Sequence, residues 1–146
     1  MPFESVLVPV NGGRSDEEAI ALACSVARRT KGKVYVLYVI EVQRTLPLDA
    51  DLPAENDRGE RILQQAERFA KVNDYAVEAD LLQAREVGPA IVDKAVERGV
   101  DLIILGVEYK KNFGEFDLGA TMPYVLRNAL CRVWLCREQM MPQASQ

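Results

Sequence analysis

The residues of this chain best suited to chemistry lie in its last third, from Asp101 to Gly106 and again from Gly119 to Cys136. An apolar run ends in Gly106, a polar loop is expected to follow, and Gly119-Ala120-Thr121 is expected to open a helix with Thr121 as its N-cap. Glycines at the two ends of a loop between a buried strand and a helix let backbone N–H groups approach an anion. The helix end adds partial positive charge. That is the chemistry of holding phosphate. Inside the loop, Lys110 and Lys111 bring positive charge, Glu115 and Asp117 bring negative charge, and Tyr109 brings bulk. An earlier turn, Asn11-Gly12-Gly13, follows the apolar run Ser5–Val10.

Other chemistry is excluded by composition. The chain has no histidine, which removes the commonest general base, the commonest zinc ligand and every Ser-His or Cys-His nucleophile. Its three cysteines, Cys24, Cys131 and Cys136, form no C-x-x-C pair and read as buried free thiols of a reducing compartment. At 146 residues, 49% apolar and 27% charged, the chain reads as one domain of a soluble globular protein. Its formal charge of −4, without a basic block, argues against nucleic acid as a partner. No apolar stretch reaches membrane-span length, and Met1–Ser5 does not read as a signal peptide, so no membrane partner and a cytoplasmic location are expected.

The elements that must position these residues alternate between two periodicities. Ser5–Val10 and Lys33–Ile40 read as buried strands. Between them a helix is expected, opened by a Ser15/Glu18 capping box and closed by Thr30-Lys31-Gly32. Glu41 to Asn56 reads as a long loop, Glu60–Val72 as a helix and Ala76–Leu82 as a third strand. Gly88-Pro89 starts a helix that Gly99 ends. Leu102–Leu105 is the expected fourth strand, Met122–Ala129 a helix and Val133–Cys136 the fifth strand. Strict strand–helix alternation implies α/β architecture, a parallel sheet with helices on both faces. One domain is expected over 1–138 and a flexible tail over 139–146.

With these residues in hand, the chain resembles the universal stress protein family over nearly its whole length. Val6-Leu7-Val8-Pro9-Val10-Asn11-Gly12 resembles the family's first strand and turn, I-L-V-P-x-D-G-S. Val36–Ile40 is similar to its second strand, and Ala90–Gly106 to its third helix and fourth strand. Gly119, Tyr124–Ala129 and Cys131–Leu135 resemble its ending, G-S-V-x-x-x-V-L-x-x-A-P-C-P-V-x-V. The resemblance implies a single-domain open sheet of five parallel strands in the order 3-2-1-4-5, of the Rossmann-like, adenine nucleotide alpha-hydrolase-like kind. It also implies a homodimer paired through the last strand, Val133–Cys136.

ATP-binding members of the family carry G-x2-G-x9-G-[S/T] after the fourth strand. On this chain the outer glycines are Gly106 and Gly119, the middle glycine is replaced by Tyr109, and the hydroxyl position is Ala120 with Thr121 next. Asn11 stands where ATP-binding members have Asp. The implied nucleotide site is degenerate. It places Pro9, Val10, Asn11 and Val39 by base and ribose and Gly106, Gly119, Ala120 and Thr121 by the phosphates, with Gly12, Val107 and Tyr109 as further residues of the site. ATP or a related adenine nucleotide, with Mg2+, is the implied ligand. No catalytic and no metal-binding residue is expected, so the chain reads as a non-catalytic stress-response protein. The alternative is a dimeric signalling module of the same fold that binds no ATP and docks an unidentified protein partner. An ATP hydrolase is the weakest reading, because no Walker lysine motif is present.

Overall fold

The computed structural model describes residues 2–110, 115–117 and 120–137. In chain order the elements are β1 (Ser5–Pro9), α1 (Ser15–Arg28), β2 (Lys33–Glu41), α2 (Pro53–Val72) and β3 (Glu78–Ala84). They continue with α3 (Val87–Arg98), β4 (Leu102–Lys110), β5 (Glu115–Asp117), α4 (Thr121–Asn128) and β6 (Arg132–Arg137). Five strands run parallel in the spatial order β3-β2-β1-β4-β6. Counted among themselves, these parallel strands have the order 3-2-1-4-5. The short β5 folds back antiparallel on the end of β4, pairing Glu108 with Asp117 and Lys110 with Glu115.

The apolar runs are continuous because the central strands are covered on both faces. Alternate residues face opposite ways. Val6 and Val8 of β1 face a cluster that holds Ile20 and Ala23 of α1 and Leu63 and Ala66 of α2. Leu7 faces the other cluster, with Ile91 of α3 and Val125 of α4. Ala19, Ala23 and Ala27 line the inner side of α1, where small residues let the helix lie close to the sheet. At the amino end of the sheet, the Asp101 carboxylate accepts the N–H groups of Glu4 and Ser5, which ties β1 to the start of β4.

Several expectations are corrected by this structure. β4 does not stop at Leu105. It runs through Gly106 to Lys110, because Val107 continues the buried alternation and the end of the strand finds a partner in β5. Part of the expected phosphate loop is therefore a hairpin, and Tyr109 sits on its strand opposite Phe116. α2 begins at Pro53, where proline is suited to the first turn, so the loop after β2 is shorter than expected. Ser15 does not cap α1: Arg14 holds the N-cap position, and no side chain caps it. Thr121 is likewise inside α4, with Ala120 at its N-cap. β3 lies two residues later than Ala76–Leu82. Gly99 ends α3 as expected, in the left-handed region at φ 63°.

All three thiols are free. Cys24 is buried, Cys131 and Cys136 are half-buried, and burial pushes all three thiol pKa values up, towards inertness. Among the described residues, no helix is long and apolar enough to cross a membrane.

Candidate functional site

Between β1 and β4 the direction of strand succession reverses, and the carboxyl ends of these two strands open on a crevice of about 320 Å3. Such a reversal point is where open parallel sheets bind ligands. Pro9, Val10 and Asn11 form one wall and Leu105 and Gly106 the other. Three helices begin here. Ser15 and Asp16 of α1, Val87 of α3, and Thr121 and Met122 of α4 all line the crevice. Each start brings partial positive charge from unpaired N–H groups, so their convergence favours an anion.

The turn after β1 is held by its own side chains. The Asp16 carboxylate accepts the N–H of Gly12 at 2.8 Å and of Asn11 at 3.4 Å. Asn11 Oδ1 accepts the N–H of Gly13 at 2.7 Å, an Asx turn. Gly12 takes φ 85°, a conformation that favours glycine. Asp16 is only 7% exposed, and its pKa is pushed up from 3.8 to about 6. Burial is the main cause. The two backbone N–H groups pull the other way, and the nearby Glu108 adds repulsion.

Glu108 reaches beneath this turn. A Cβ on Gly13 would stand 1.6 Å from its Oε1, an atom that is buried and finds no hydrogen-bond partner among the described residues. Gly106 has a comparable cause. A Cβ there would stand 2.5 Å from Ser15 Oγ and 2.9 Å from Ser15 Cβ. The glycine lets the first residue of α1 pack directly on β4, and it is not the turn at a strand end that its place in the sequence suggested.

Of the residues expected at the site, the structure brings together Pro9, Val10, Asn11, Gly106 and Thr121. Gly12 lies on the outer side of the turn, in a neighbouring groove. Val39 and Val107 pack into the core on the α3 face instead of lining the crevice. Ala120 is exposed at the N-cap of α4, and Tyr109 is on the hairpin. Gly119 and Lys111 lie outside the described residues.

Sequence reasoning missed Ser15, Asp16, Val87, Ile91, Leu105 and Met122 as lining residues. Asp16 left a signal, an acid four residues after a glycine in φ-positive turn chemistry. Reading it as one of several acids at a helix start hid its role. The apolar members gave no signal separable from ordinary core periodicity.

Comparison with known proteins agrees with this fold. Residues 2–137 match the model of the universal stress protein family. A universal stress protein of Methanocaldococcus jannaschii is 23% identical over 142 residues, covering 93% of this chain and 83% of the relative. The universal stress protein of Archaeoglobus fulgidus solved in complex with dAMP superposes with a TM-score of 0.73 at 20% identity, covering 93% of this chain and 99% of that one. A universal stress protein solved in complex with cAMP gives 0.68 at 19% identity, covering 92% and 97%. These superpositions show a shared fold, and with the family match they establish that the chain belongs to the universal stress protein family.

Proposed function

We propose that this protein is a non-catalytic, cytoplasmic stress-response protein whose crevice senses an adenine nucleotide. The observation that carries this reading is the convergence of three helix starts on a crevice of about 320 Å3 at the reversal point of the sheet. That volume falls at the low end of ligand pockets, about 300–1,000 Å3. It suits a base and ribose with one phosphate inside better than a folded triphosphate. The complexes of dAMP and cAMP with relatives of the same fold support that class of ligand.

In this reading the base and ribose lie along Pro9, Val10 and Asn11, over the Ile91 and Met122 side chains. The phosphate meets the free N–H groups at the start of α4, by Ala120 and Thr121. Asn11 Oδ1 already accepts one N–H, so its second lone pair and its amide nitrogen are what it offers a ribose or base. Gly106 keeps that wall thin. No group of three His, Cys, Asp or Glu side chains able to hold a metal occurs among the described residues. In this reading Mg2+ arrives on the phosphates of a polyphosphate ligand. Ligand occupancy would bias the segment after β4. The three free thiols suit a reducing compartment.

A homodimer through β6 belongs to the same reading. β6 pairs on one side with β4, and its Leu135 is 50% exposed. An edge strand with an exposed leucine is an aggregation hazard that pairing with a second copy removes.

The test is calorimetric titration with AMP, cAMP and ATP–Mg2+, preceded by mass spectrometry for nucleotide carried through purification. Micromolar binding that Thr121→Trp abolishes supports the reading, as does an absence of ATP turnover. No heat with any nucleotide, and none co-purified, refutes the sensor and leaves the partner-docking module. Steady ATP turnover refutes the non-catalytic assignment.

A further inference from the structure

On the outer side of the β1–α1 turn lies a second depression, of about 610 Å3. Arg58, Arg61, Gln65 and Arg68 of α2 form its wall, and the half-buried Ile62 and Phe69 form its bed. The wall positions recur at steps of three and four, so at about 3.6 residues per turn they make one stripe. Leu63, Ala66 and Ala70 occupy the adjacent face, packed on the sheet. Glu60 and Glu67 fall on the far side of that packed face. Asp57 stands one turn before Arg61, beside the cationic stripe, and Lys71 stands on the Glu60–Glu67 side, so neither flank is of one sign throughout.

Lys33, Lys94 and Arg98 each have a carboxylate partner. Arg58 and Arg61 have none among the described residues, and Arg68 donates to the amide oxygen of Gln65. Asp16, the carboxylate that lines the groove, is occupied by the N–H groups of Asn11 and Gly12. Arg58 Nη2 lies 3.9 Å from where a Gly12 Cβ would stand, so its guanidinium leans over the turn. In a chain of net charge −4, this is a local excess of positive charge on a concave face. Guanidinium groups above an apolar bed can converge on one anion with paired, charge-assisted hydrogen bonds.

We propose that this groove binds a soluble polyphosphate, at a site separate from the crevice. Arg58 and Arg61 clamp neighbouring phosphoryl groups, and Arg68, held by Gln65, takes the far end. Ten residues of helix separate Arg58 from Arg68, about 15 Å along the axis. A lone phosphate reaches one end of such a stripe, and a chain of phosphates engages its length. The chain can be free inorganic polyphosphate or the tail of a polyphosphorylated nucleotide.

The experiment is titration of the whole protein with inorganic tripolyphosphate at low and high salt, in wild type, R58Q/R61Q and Thr121→Trp. Melting curves check the fold, and Val87→Trp replaces Thr121→Trp if that variant unfolds. The expected result is salt-sensitive binding that R58Q/R61Q weakens by about tenfold or more and that the crevice variant leaves unchanged. The proposal is overturned if wild type gives no heat at low salt, if R58Q/R61Q binds as wild type does, or if only the crevice variant loses binding. ATP titrated into the crevice variant distinguishes the sources. Retained ATP binding supports a nucleotide tail, and its loss with tripolyphosphate binding kept supports the base-free anion. AMP binding, measured in parallel, tests the crevice on its own, so the two sites can fail separately.

Discussion

Asp16→Asn removes one charge from a buried turn and leaves its shape nearly unchanged. The folded protein holds the Asp16 proton up to about pH 6, whereas the unfolded chain releases it near 3.8. That gap of about two units is worth about 3 kcal/mol at about 1.36 kcal/mol per unit. The sign follows from proton counts. Between about pH 4 and pH 6 the folded state carries a proton that the unfolded state has lost, so stability falls as pH rises through this window. Below about pH 4 the contribution is fully present. At neutral pH the ionised carboxylate stands about 3 kcal/mol less favourable than it would in water. Asparagine has no such titration. Its single oxygen keeps the 2.8 Å bond from Gly12 and gives up the weaker one from Asn11, which costs about 1 kcal/mol at all pH values. Urea unfolding of both proteins at steps of pH gives the difference in unfolding free energy, in which all other carboxylates cancel. Wild type should lose about 3 kcal/mol relative to the variant from the acid to the neutral side. A difference curve that is flat, or that rises with pH, refutes the claim that this carboxylate is desolvated.

Four further outcomes are expected. Gly106→Ala should cost about 1–3 kcal/mol through overpacking on Ser15, and Ser15→Gly in the same chain should recover more than half of it in urea unfolding. Gly99→Ala should cost about 1 kcal/mol although its Cβ would meet nothing, because the penalty is backbone conformation; a neutral result in the same assay would contradict the left-handed cap. Ile91→Ala, at a position 1% exposed on the crevice floor, should cost about 2–5 kcal/mol and loosen nucleotide binding as well, measured by melting and calorimetry. Leu135→Glu should shift the protein to monomer in light scattering while its circular dichroism stays unchanged.

The sheet was legible because each central strand is buried on both faces and so leaves an unbroken apolar run, as in Val6–Val8 and Val34–Leu37. Helix ends were legible where backbone conformation dictates the residue, as at Gly99, and less so where polar side chains fit several roles. Ser15 and Thr121 have good cap chemistry, yet tertiary packing placed both one residue inside their helices. The walls of the crevice at Pro9–Asn11 and Gly106 were legible from strand ends. The role of Gly106 was not, because a glycine required by a neighbour ninety residues away in the chain looks the same as one required by a turn. The β4–β5 hairpin escaped notice because its strand continues through a glycine into charged residues, against every local cue.

The pairing of β1 has a consequence for how the chain is born. β1 lies between β2, which follows it closely, and β4, whose Leu102 pairs with Val6. During synthesis β2 emerges within seconds, but the other edge of β1 waits for some ninety-odd further residues, about 5–20 s at common elongation rates. Until then the first half of the sheet carries a bare edge of unpaired N–H and C=O groups, set among apolar side chains, on what will become its centre. The slowest folding event should therefore be the docking of the second half, with Asp101 closing on the N–H groups of Glu4 and Ser5 as β4 arrives. A ribosome-bound chain stopped before Leu102 should need a holding chaperone, and one released after Arg137 should not.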